Sequence, residues 1–268
     1  MGDVFPDPET RTAPRLYERG GGMKNKEPHM RVAASALLVL LPVTLLAQEP
    51  PAPPSQKEAD ARVAALKEAY KGDSDAAKKE AIAACADCPH ATVAAALAPL
   101  LVSGADELRI AVAQVLGKMA GFADAARALH SGLKPNEKQD KVLRAVFEGI
   151  ARVGHASSVG ILEKWIDDRL DLRDSEEVPG VILAFDVLGF LKFKASVDVI
   201  LELCDKKKVS GEGAGTGGGY KLKCGKHAEA ALVRLTGQEA FGDVELWRDW
   251  WKKHARDYKD DMSPREGK

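Results

Sequence analysis

Apolar residues recur along this chain on two scales. Locally they fall three or four apart, as in Ala61, Val63, Ala64, Leu66 and Ala69, a stripe that predicts an amphipathic helix from Glu58 to Tyr70. On the longer scale a whole pattern returns. With Ala83, Gly117, Ala151, Gly189 and Val233 set in one register, the spacings are 34, 34, 38 and 44 residues. One residue before each anchor stand Ile82, Leu116, Ile150, Leu188 and Leu232. Two after stand Cys85, Met119, Val153, Leu191 and Leu235. Eight after stand Ala91, Ala125, Val159, Val197 and Phe241. All are apolar in a chain rich in charge. A period of this size, built from two helical patterns, predicts stacked helix hairpins. The anchor is small in four of the five copies, which predicts close approach of neighbouring helices there.

The remaining elements follow from caps and breaks. Asp73-Ser74-Asp75 offers a cap for a helix through Ala84. Pro89 restarts the chain, and the apolar run from His90 to Leu101 predicts a helix buried between neighbours. Helices are expected over 106–119, 122–133, 136–153, 157–169, 176–191, 195–205 and 226–235, with Pro179 tolerated only in a first turn. Trp247, Trp250 and Trp251 share one face of a last helix, expected to cover the open end of the stack. The fold class is all-α: an α-solenoid of about five hairpins with a Trp-rich C-terminal capping helix, over residues 56–258. Residues 259–268 are expected to be a disordered tail.

The N-terminal residues change the picture of where the chain works. Residues 30–47 contain an apolar run, Val32 to Ala47, preceded by Lys24, Lys26 and Arg31 and interrupted by Pro42. A membrane-spanning helix needs about 20 apolar residues, so this shorter run reads as a signal peptide. The expected location is periplasmic or extracellular, with membrane anchoring if the segment is not cleaved. Residues 1–29 are a polar leader; a start at Met30 would leave all of it untranslated, and a start at Met23 would leave out residues 1–22. The stretch 48–55, QEPPAPPS, is a linker made extended by its prolines. Net charge is −1, from 39 Lys and Arg against 40 Asp and Glu. That balance excludes a strongly basic nucleic-acid binder, and no membrane partner is expected beyond the signal segment.

Candidate chemistry is sparse. Cys85-Ala86-Asp87-Cys88 is a CxxC, which fits a redox dithiol, half of a zinc site or a local disulfide, but Cys85 falls at a repeat position that is apolar elsewhere. Covalent haem needs a histidine where Pro89 stands; His90 is one residue late. Ala156-Ser157-Ser158-Val159-Gly160 touches on a hydrolase elbow, yet the serines fall where a helix should begin, so they read as caps. Asp167, Asp168, Asp171, Asp174, Glu176 and Glu177 form an acidic turn without the ligand alternation of a calcium loop. Gly213, Gly215 and Gly218 satisfy GxGxxG, but a lysine run precedes them and no strand does. No catalytic residue, cofactor or metal site is assigned.

Cys204 ends one helix of the fifth hairpin and Cys224 just precedes the other. They flank the base of a glycine-rich insertion and form a suspected disulfide, suited to an exported protein. The insertion carries Lys206, Lys207, Lys208, Lys221 and Lys223, a candidate basic loop for an acidic partner.

Paired helices with apolar–Gly/Ala–x–apolar ends, and an apolar residue eight positions later, resemble HEAT repeats of the shorter bacterial kind. The ending Leu235-Thr236-Gly237, Phe241-Gly242 and Trp247 to Trp251 is similar to the terminal unit of exported bacterial HEAT-repeat proteins. The resemblance covers about residues 75–254. Tetratricopeptide repeats share the period, but their Trp and Tyr positions are missing here. The resemblance implies a scaffold for protein–protein interaction with no catalysis of its own and an unknown protein partner. The alternative is a thiol-redox enzyme or an enzyme subunit like the HEAT-like bilin lyases.

Overall fold

The structure is a computed structural model that describes residues 53–169, 178–206 and 225–265. The signal segment 30–47, the leader 1–29, and most of the linker 48–55 lie outside the described residues. The described chain is all-helical, with eleven α-helices and no strand: α1 (Gln56–Ala69), α2 (Asp75–Ala83), α3 (Ala91–Leu97), α4 (Asp106–Gly117), α5 (Ala123–Leu133), α6 (Asp140–Val153), α7 (Ser158–Asp167), α8 (Pro179–Phe190), α9 (Lys194–Lys206), α10 (Gly225–Thr236) and α11 (Val244–His254).

Local chemistry sets the ends of several of these. Ser55 caps α1 reciprocally: its hydroxyl accepts from the Glu58 amide at 3.3 Å, and the Glu58 carboxylate accepts from the Ser55 amide at 2.8 Å. The last residue of the expected linker is therefore a helix cap. Ser74 caps α2 through the Ala77 amide at 3.3 Å. His90 caps α3, its Nδ1 accepting from the Thr92 amide at 3.2 Å. Gly154 stops α6 in the left-handed region, at φ 61°, where a side chain would be strained. Pro179 occupies the first turn of α8.

The helices pack in two interleaved rows. α2 lies on α4, α4 on α6, α6 on α8, and α8 on α10; α1 lies on α3, α3 on α5, α5 on α7, α7 on α9, and α9 on α11. Consecutive helices join the rows, as α1 with α2, α5 with α6, and α7 with α8. The core between the rows is supplied by the repeat positions. Ile82, Leu116, Ile150, Leu188 and Leu232 are buried, and so are Cys85, Met119, Val153, Leu191 and Leu235. The third set is less uniform: Ala91 is exposed and Phe241 half-buried.

The anchor position itself behaves differently from its expectation. Gly117 and Gly189 are buried at close helix contacts, but Ala83 is exposed and Ala151 half-buried. The close approach of α4 and α6 uses Gly149 instead: a Cβ on Gly117 would lie 3.0 Å from the Gly149 Cα, and one on Gly149 would lie 2.9 Å from the Ala113 carbonyl oxygen. The residue that faces the neighbouring backbone decides where a glycine is needed.

Two other expectations shift. The helix expected from Asn136 starts at Asp140, because Lys134–Asn136 is a 3-10 turn and the Asn136 side chain is used inside the protein. It is fully buried; its amide donates to the Leu101 carbonyl at 2.9 Å and the Gly132 carbonyl at 2.7 Å, and its oxygen accepts from Arg109 at 2.8 Å. The tail expected to be disordered folds back as far as residue 265. Met262 is buried, the Lys194 amide donates to the Asp260 carbonyl at 3.0 Å, and the Arg265 amide donates to the Asp257 carbonyl at 2.8 Å.

Candidate functional site

One recess in the described surface lies between α6, α7 and α8. It has a volume of about 200 Å³, with Leu143, Trp165, Val178, Pro179 and Leu183 as apolar wall and Glu137, Asp140, Arg144 and Arg169 around it. Trp165 is placed by two contacts. Its ring meets Phe147 edge-on at 5.8 Å between centroids, and its indole N–H donates to the Gly180 carbonyl at 3.2 Å. Arg169 lies flat over that indole, 3.3 Å from the ring centroid, a cation–π contact. Its Nε donates to Glu137 Oε1 at 2.7 Å, and a guanidinium nitrogen donates to the Trp165 carbonyl at 3.2 Å. The hydrogen bond from Arg169, followed by its charge and those of Lys134 and Lys138, holds the Glu137 carboxyl below the usual range. Arg144 stands at the recess with no ion-pair partner among the described residues. An apolar wall next to a cation suits an apolar side chain flanked by a carboxylate. Sequence reasoning missed this recess: Arg169 and Glu137 are 32 residues apart, and neither carries a local motif.

The serines at the start of α7 do not act as caps. Ser157 makes no capping bond. Both hydroxyls pair with imidazoles: Ser158 Oγ with His130 Nε2 at 2.9 Å, and Ser157 Oγ with His155 Nδ1 at 2.8 Å. Ser158 is fully buried. Burial, reinforced by the nearby His155, pushes the His130 imidazole down to about 4 from its ordinary 6.5. The ring is therefore neutral in the fold and protonates more readily in the unfolded chain. Its contribution to stability is present in full above about pH 6.5 and is lost as the pH falls toward 4. The loss is expected to be on the order of 2 kcal/mol, after allowance for the partial exposure of the ring. Urea unfolding at about pH 7 and about pH 4.5, compared with His130→Gln, measures it: the variant should lose less stability than the wild type on acidification, and equal losses would refute the assignment.

The other sequence candidates fall as follows. Cys85 and Cys88 are buried in the turn after α2, and burial raises both thiols. Cys204 is buried in the last turns of α9. Cys224 lies outside the described residues, as do Lys207, Lys208, Lys221, Lys223 and the GxGxxG glycines; Lys206 is the last residue of α9. In the acidic turn, Asp167 and Asp168 end α7, and the rest lies outside the described residues. Trp247 and Trp251 are buried, their indoles donating to Glu229 at 3.2 Å and Asp198 at 2.7 Å. Trp250 is half-buried and stacks on His254 at 5.0 Å. Among the described residues no group of three or more His, Cys, Asp or Glu could hold a metal ion, and no helix is long and apolar enough to cross a membrane.

No protein-family model matches the sequence, and no curated protein is significantly similar to it.

Proposed function

We propose that the chain is an exported α-solenoid of the HEAT-like kind, about five helix pairs closed by the Trp-rich helix α11, serving as a scaffold for a protein partner without catalysing a reaction of its own. The observation that supports this most is the alternation of packing partners: each helix rests on the helix two places before it and two places after it. That is how repeat units bury faces none could bury alone. At the C-terminal end, Trp247 and Trp251 bond to Glu229 of α10 and Asp198 of α9, which suits a closing helix. The apolar run from Val32 to Ala47, with Lys24, Lys26 and Arg31 before it, supports export on its composition.

The partner surface in this reading includes the recess beside Arg144. A photo-cross-linking residue at Leu183, carried by the whole protein in its native envelope, tests it against the same probe at Lys57 on α1. A discrete adduct is expected from Leu183 and none from Lys57. Adding Arg144→Glu should lower the yield about tenfold, the effect of about 1.4 kcal/mol. Absence of an adduct at Leu183, or a yield indifferent to Arg144→Glu, would overturn the assignment of this surface.

A further inference from the structure

The scaffold reading leaves two thiols unused. Cys85 and Cys88 are 0% and 3% exposed. The Cys88 amide donates to the Cys85 carbonyl at 3.2 Å, closing a four-residue turn. Such a turn keeps its end Cα atoms within about 7 Å, and disulfides span about 4.4–6.8 Å between Cα atoms. Cys88 lies within electrostatic reach of Cys85, and both thiols within that of the Arg62 guanidinium of α1. Their access differs. Cys88 lines an open cleft of about 360 Å³ with Pro54, Glu58, Ala61, Arg62 and Asp87. Cys85 is no part of that wall, and its thiol donates to the Ala81 carbonyl at 3.4 Å.

We propose that Cys85 and Cys88 are a redox-responsive dithiol that a low-molecular-weight disulfide converts to an intramolecular disulfide, Cys88 attacking and Cys85 resolving. The Cys88 thiolate, formed beside Arg62, attacks one sulfur of the small disulfide. A protein–S–S–R bond forms, the R–S–S–R bond breaks, and the departing thiolate takes up a proton. Cys85 then gives its proton to solvent, and its thiolate attacks the Cys88 sulfur and expels the second small thiol. Two protein thiols and one small disulfide become one protein disulfide and two small thiols; the protein loses two electrons and two protons. The resulting disulfide acts as a staple across the turn from α2 to α3.

The test equilibrates the folded full chain with mixtures of reduced and oxidised glutathione, quenches with acid and labels free thiols with N-ethylmaleimide. Trypsin releases residues 80–109 as one peptide holding both cysteines. In the oxidising mixture that peptide should carry no label and be lighter by two hydrogen masses; in the reducing mixture it should carry two labels. Cys85→Ser should trap a glutathione adduct on Cys88, and Cys88→Ser should trap none on Cys85. Circular dichroism verifies that the variants fold, and the wild-type transition decides the matter without them. A peptide that keeps both labels in the oxidising mixture, or that ends with glutathione on Cys88 in the wild type, overturns the proposal.

Discussion

Replacing Gly149 by Val is expected to destabilise the protein by about 3 kcal/mol or more. Overpacked sites cost about 1–3 kcal/mol when side chains can adjust, and more when the backbone must. Here one obstacle can move and one cannot. A Cβ on Gly149 would sit 2.9 Å from Leu129 Cδ2, which can rotate, and 2.9 Å from the Ala113 carbonyl oxygen, which belongs to the interior of α4. Gly117 closes the contact from the other side, so α6 must lift off α4 as a whole. Leu116 and Ile150, now fully buried, would lose contacts together. Gly160 is the control, since a Cβ there would meet nothing within 4 Å. Gly160→Ala should stabilise the chain by up to about 1 kcal/mol through the unfolded state. Urea midpoints of the two variants should therefore move in opposite directions. A cost below about 0.5 kcal/mol for Gly149→Val, the range of an ordinary surface change, would show that these glycines do not set the spacing of α4 and α6.

Asn136→Leu is expected to cost about 3–4 kcal/mol despite its gain in apolar volume. The substitution removes two donors and an acceptor from a fully buried site. The carbonyls of Leu101 and Gly132 would stay buried without this partner. Arg109 would keep only its contact with Asp106, while its Nε already lacks a partner. Unpaired buried polar groups cost about 1–3 kcal/mol each, and charged ones more. Asn136→Asp keeps the acceptor for Arg109 but turns an acceptor oxygen toward both carbonyls, so it too is expected to destabilise, by about 1–3 kcal/mol or more. Near-neutral stability of Asn136→Leu in a urea titration would mean that the two carbonyls find other partners.

These two sites show where the sequence could be read and where it could not. The positions just before and two after each anchor are buried in all five copies. Burial there depends only on a helix returning the same face to its neighbour, and a period carries that information. The glycine contact was legible at Gly117 and Gly189 but misplaced in the third copy, because Ala151 holds the right phase while Gly149 faces the partner backbone. Asn136 was legible only as a residue after Pro135. Its partners Arg109 and Leu101 are 27 and 35 residues away, and nothing in its own neighbourhood signals them. The recess beside Trp165 is hidden for the same reason. The serines of α7 were placed correctly at a helix start, yet imidazoles from His130 and His155 took their hydroxyls.

The pattern of packing partners also fixes an order of events. The main contacts of each helix reach no further than the helix two places along, so the chain closes short loops throughout, the condition for fast folding. A chain emerging from its N-terminus can assemble pair by pair, each new helix finding its site already built. One contact does not follow this rule of proximity. The Lys194 amide at the head of α9 waits for the Asp260 carbonyl, supplied by the loop that also buries Met262. A nascent chain halted anywhere before that loop would hold finished upstream pairs and an unlatched α9. The loop around Asp260 is the latch.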